Sequence, residues 1–92
     1  MENKIMAADN FENIANKVIQ YIGFNRWRLI NQEGFNGVCL MLWDNFSSAE
    51  KKLLLNTHDA YAYVNYYLML KGGHFVDGVR LHAHGLEVYV DC

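Results

Sequence analysis

Residues 60–70 read Ala60-Tyr61-Ala62-Tyr63-Val64-Asn65-Tyr66-Tyr67-Leu68-Met69-Leu70, and this run decides the fold. Ten of its eleven residues are apolar or aromatic, four of the chain's six tyrosines lie in it, and Asn65 alone is polar. Asn56-Thr57-His58-Asp59 before it reads as a break and a new cap, and Gly72 after it suits a left-handed helix end. These flanks favour a helix over about 58–70, against the sheet preference of Tyr and Val. A helix apolar on every side has to be covered on every side, by its own domain or by a second chain. Ala60, Val64, Tyr67 and Leu68 share one arc and are expected to face the core. Tyr63 and Tyr66, with Leu70 between them in angle, are expected to form a more exposed strip, because a Tyr ring can be covered while its hydroxyl stays wet. That strip is the candidate partner-binding surface.

Working outward towards the N-terminus, Ser47-Ser48-Ala49-Glu50 spells a capping box, and a helix follows to about Asn56 through Leu53, Leu54 and Leu55. Phe11, Ile14, Ala15, Val18, Ile19 and Ile22 recur at helical spacing, which predicts a helix over 10–22, capped by Asp9 or Asn10 and stopped by Gly23. Residues 1–8 are expected to fray. Between these helices, 24–32 holds Phe24, Trp27 and Leu29 among polar residues, while 38–43 is a continuous apolar run. With Glu33-Gly34-Phe35-Asn36-Gly37 as the turn, the two read as a β-hairpin whose second strand is covered on both faces.

Towards the C-terminus the period changes to two. Val79, Leu81 and Ala83, then Leu86, Val88 and Val90, alternate with polar residues, so a second hairpin is expected with His84-Gly85 as its loop. Asp77-Gly78 offers a further turn and a short strand at 74–76. The predicted order is α-β-β-α-α-β-β: one α+β domain over residues 1–92, its antiparallel sheet built from two hairpins and packed against the helices.

Composition fits such a domain. Of the 92 residues, 52% are hydrophobic and 20% charged, enough apolar material for one modest core. The net charge is -2, spread evenly between the halves. A dedicated duplex-DNA binder usually carries a basic stripe, and none is present. Two cysteines, Cys39 in an apolar run and Cys92, make no disulfide framework, and no apolar segment reaches membrane-spanning length. A reducing cytoplasm is the expected compartment.

Chemistry is sparse. His82 and His84 lie two apart and would share a strand face, with His74, Asp77, Asp91 or Cys92 near enough in sequence to complete a metal site. No metal is expected there, since a hairpin turn at His84-Gly85 would point the two rings apart. Cys39 in apolar surroundings would have a raised pKa, the reverse of activation. No two carboxylates converge, and no glycine pattern suits a phosphate. Hence no catalytic residue and no cofactor are expected. Arg26-Trp27-Arg28 and Lys51-Lys52 form the nucleic-acid alternative, since aromatics and charge together bind single strands. On a strand, however, Trp27 would face the core and the two arginines the solvent.

The expected function is therefore that of a small cytoplasmic interaction or inhibitor protein, not an enzyme, that occupies a surface of a protein partner. A phage- or plasmid-borne accessory, anti-CRISPR, anti-restriction or immunity-type factor would fit this description. A self-associating structural protein and a single-stranded nucleic-acid binder are the alternatives.

Overall fold

Phe11, Ile14, Ala15, Val18 and Ile22 are all buried, and the stripe they form does not end at Gly23. Leu29, seven residues beyond Ile22, is buried as well, and α1 is one helix, Glu2–Ile30. The computed structural model describes residues 2–72 and 75–91, with side chains from residue 10 onward. Gly23 is an ordinary helical position, with nothing within 4 Å of a Cβ built there. A helical glycine costs about 1 kcal/mol relative to alanine, whereas burying a leucine contributes about 1.5–3 kcal/mol; the helix therefore continues. Asn25 and Asn31 donate side-chain hydrogen bonds to the carbonyls of Tyr21 and Trp27, each 2.8 Å. The strand expected over 24–32 is thus the end of α1, Gly23 does not stop the helix, and α1 begins at Glu2, ahead of the expected cap and within the segment expected to fray.

After Gly34 and Gly37, both at positive φ, comes β1 (Val38–Leu42), followed by a 3-10 turn (Trp43–Asn45), α2 (Ser48–Asn56), α3 (Ala60–Leu70), β2 (Val76–His82) and β3 (Gly85–Val90). Among the described residues there are three strands rather than four, in the antiparallel order β1-β3-β2. Cys39 faces Val88 and Met41 faces Leu86 on one side of β3, while Val79 and Leu81 face the same two residues on the other. A single hairpin remains, β2–β3, and its loop is Ala83-His84, one residue earlier than the expected His84-Gly85. Gly85 is a strand residue, and a Cβ on it would collide with the Met41 carbonyl oxygen, so glycine is what lets β1 approach. Asp77 is not a turn but the irregularity between Val76 and Gly78, where the register of β2 shifts. His74, and with it the start of the proposed 74–76 strand, lies outside the described residues; Val76 already belongs to β2.

The capping box forms as read. Glu50 N–H donates to Ser47 Oγ (3.1 Å) and Ser47 N–H donates to Glu50 Oε1 (2.8 Å). The same carboxylate meets Lys17 Nζ at 2.6 Å and ties α2 to α1. Asp59, ahead of α3, has φ 55 and makes no side-chain cap, so the break is a backbone turn rather than a new Asp cap; Gly72 closes the helix at φ 86.

The three helices pack on one another and on one face of the sheet. Ile14, Val18, Ile22, Leu54, Val64 and Leu68 share one core with Met41, Val79, Leu86 and Val88. The other sheet face presents Val38, Leu40, Leu42, Arg80, Glu87 and Tyr89, all half-buried or exposed. β1 is therefore covered on one face, not on two. Its uninterrupted apolar run reflects both its burial on one side and an apolar patch on the other.

Candidate functional site

On α3 the division of faces follows the angles of the sequence. Ala60, Val64 and Leu68 are buried and Tyr67 is half-buried against the core. Tyr63, Tyr66 and Leu70 are 51%, 52% and 62% exposed, and Met69 extends the strip at 72%. The Tyr63 ring lies on Phe11 of α1, centroids 4.9 Å apart and planes at 18°. Tyr66 stands edge-on to Tyr67 at 5.3 Å. Lys71 reaches Glu12 at 3.0 Å and fixes the far end of α3 against α1. The strip is thus held by packing and an ion pair while about half of each tyrosine residue stays open.

Asn65, the polar exception in this helix, has a structural task. Its Oδ1 accepts the Val79 N–H at 2.8 Å, and its Nδ2 donates to the Val79 carbonyl at 3.2 Å. These are the two bonds a neighbouring strand would make to an edge residue. β2 is an outer strand, and Asn65 takes the place of that neighbour at one position. Gly78 has no side chain to obstruct it: a Cβ there would stand 3.4 Å from Asn65 Oδ1. On one side of this bridge lies an open groove of about 770 Å³ between Tyr61, Tyr66, Met69, Val76 and Asp77. On the other, a groove of about 550 Å³ is lined by Asp59, Tyr61, Arg80 and Leu81. Sequence reading marks Asn65 as unusual but not what it bonds; a lone amide in an apolar helix is the available signal.

The end of α1 differs most from expectation. Phe24 and Trp27 are 87% and 70% exposed, so Trp27 is not a core residue. The Arg26 guanidinium lies 4.2 Å from the Phe75 ring centroid and 5.6 Å from that of Trp27. Its Nε is buried and has no hydrogen-bond partner among the described residues. Arg28 is exposed and bonded to Asn25 Oδ1 at 2.9 Å. Lys51 and Lys52 sit on α2, both exposed, with Lys51 over the Trp43 ring at 5.8 Å. Arg26 and Trp27 therefore come together, while the two lysines belong to a different element, where Lys51 has a different aromatic partner.

The turn does not point the His82 and His84 rings apart as expected: their centroids are 5.6 Å apart, and the His84 backbone N–H donates to His82 Nδ1 at 3.0 Å, which occupies one nitrogen of the pair. Of the proposed third ligands, His74 and Cys92 lie outside the described residues, and among the described residues no three His, Cys, Asp or Glu side chains converge on one point. Cys39 is a buried thiol. Burial pushes its pKa up, against the lowering effects of the Arg28 charge and a hydrogen bond with Tyr21. Among the described residues, no helix is long and apolar enough to cross a membrane. No family model, curated protein or solved structure matches this chain, so its own surface is what carries a functional reading.

Proposed function

We propose that the protein is an interaction module that covers a surface of a protein partner with the α3 strip of Tyr63, Tyr66 and Leu70, extended by Met69. The observation that carries this reading is the exposure of these four side chains together on a helix whose opposite face is core. Aromatic residues and Met are enriched in protein interfaces, and Tyr is prominent among the residues that dominate binding energy. An inhibitor or immunity-type factor would use such a face to block the surface it covers.

The double substitution Tyr63→Ser/Tyr66→Ser tests it. Losing the Tyr63–Phe11 stack costs about 1 kcal/mol, a fall in thermal midpoint of roughly 4–8 °C for a domain of this size. Against that modest change, partner capture by affinity purification and mass spectrometry is expected to vanish. A variant that melts far lower while capturing the same partner would make the rings core and end the reading.

A second reading rests on Phe24, Trp27, Arg26 and Arg28, where exposed rings adjoin cationic groups at the end of α1. Base stacking with charge contacts is how single strands are held without sequence preference. Binding of single-stranded DNA or RNA that weakens steeply with salt and is lost in Trp27→Ala favours this second reading over the first.

A further inference from the structure

The two edges of the sheet are treated differently. β2 is guarded by α3, by the Asn65 bridge to Val79 and by the charged side chains of Asp77 and Arg80. Among the described residues no α-helix hydrogen-bonds the backbone of β1, and the strand has no charged residue between Val38 and Leu42. An uncharged, unguarded edge strand is a template for pairing with another strand.

The register settles which groups β1 offers. Val90 N–H donates to the Gly37 carbonyl at 2.8 Å and Trp43 N–H to the His84 carbonyl at 3.1 Å, so the pairs that flank β1 are bonded to the β3 side. Alternation then puts Cys39 and Met41 in bonded pairs with β3. The backbone groups of Val38, Leu40 and Leu42 point outward. Two of these six groups are already taken by solvent-exposed local bonds: Val38 N–H donates to Asn36 Oδ1 at 3.3 Å, and the Leu42 carbonyl accepts from Asn45 Nδ2 at 3.2 Å. Four remain: the N–H groups of Leu40 and Leu42, and the carbonyls of Val38 and Leu40.

Those four are complementary to themselves. Place a second β1 antiparallel with Leu40 opposite Leu40. Each Leu40 N–H then meets the other Leu40 carbonyl, and each Leu42 N–H meets the other Val38 carbonyl. Four bonds form about a two-fold axis, no free group of the seam is left over, and the groups outside it are those Asn36 and Asn45 already satisfy. No like charges meet, because the strand carries none. On the open sheet face the same register sets Leu40 beside Leu40 and Val38 beside Leu42, joining two apolar patches into one ladder.

We infer that the occupant of this edge is a second copy of the chain, paired β1 to β1 through Leu40 in a two-fold dimer with a continuous six-stranded sheet. The interface is isologous, so it closes at two subunits. It uses none of the α3 strip and does not depend on the reading of that strip.

Sedimentation velocity on the full chain across a dilution series is the first test, with a concentration-dependent dimer expected. Amide hydrogen exchange on the same samples is expected to show Leu40 and Leu42 protected at high concentration and exchanging freely when dilute. Leu40→Lys places two like charges on the axis and is expected to abolish the dimer while keeping the wild-type far-ultraviolet circular dichroism. Wild-type protein that stays monomeric throughout the series overturns the inference, including in favour of a strand from another protein. So does a dimer whose Leu40 and Leu42 amides exchange freely, or one that survives Leu40→Lys and is lost in Tyr63→Ser/Tyr66→Ser. The exchange measurement uses wild-type protein, so it decides the matter even where the lysine variant does not fold.

Discussion

A single amide closes the β2 edge at Val79. Asn65 presents both its oxygen and its nitrogen to Val79, so one side chain does the work of a strand residue. Asn65→Leu would suit the apolar run around it by composition, yet it leaves a part-buried N–H and carbonyl without protein partners. The expected cost is about 1–3 kcal/mol, read as a lower urea midpoint at unchanged slope. Asn65→Asp keeps the acceptor and loses the donor, and should fall between the two. An Asn65→Leu variant as stable as wild type would mean the bridge contributes nothing. Hydropathy patterns report which face a residue occupies, not what a polar atom bonds, which is why Asn65 could be singled out in the sequence but not explained. Gly85 is similar: it reads as half of a turn, and only the passage of β1 beside it shows why a side chain is excluded.

At the scale of elements, α1 offers the sharpest contrast between faces. Ile14 is fully buried and Asn13 exposed. Ile14→Asp puts an unpaired charge into the core and is expected to cost more than about 4 kcal/mol, enough to unfold the domain, while Asn13→Asp stays within about 0.5 kcal/mol. Circular dichroism and chemical denaturation would show both, and equal losses would contradict the assigned face. The stretches legible in the sequence were those with a clear period or a clear end signal: 10–22 of α1 by its period alone, since both of its expected ends were wrong, α2 with its capping box, α3 with Gly72, and the alternation of β2 and β3. Residues 24–32 misled because Phe24 and Trp27 suggest burial, and here the aromatic rings are the solvent-facing residues while Leu29 alone continues the stripe. With that strand gone, β1 finds its partner in β3, far along the chain, a pairing local sequence does not encode. The α3 strip was legible because angle on a helix fixes exposure once its buried side is known. The Arg26–Phe75 contact was not, since it joins residues from opposite halves of the chain.

For the whole molecule, the Glu50 contact at the α1–α2 junction is expected to make stability depend on pH. Burial alone would raise the Glu50 pKa; the Lys17 hydrogen bond and charge, with the bonds from Ser47, outweigh it and hold the carboxyl below its ordinary value of 4.5. A carboxylate whose folded pKa is depressed stabilises the fold above its unfolded pKa and loses that contribution as pH falls through the folded one. Stability should therefore decline below about pH 4.5, and Glu50→Gln should flatten that limb in denaturation midpoints taken at several pH values. An unchanged limb would place the acid sensitivity in another carboxylate. The overall shape follows from α1. At ~1.5 Å per residue its 29 residues extend about 43 Å, and in a body of 47 × 26 × 19 Å only the longest dimension can hold them. The monomer is therefore a short rod with its first helix as the axle. It spins readily about that axle and tips end over end slowly, so the amide vectors of α1, which lie along the axle, reorient more slowly than any amide that points across it.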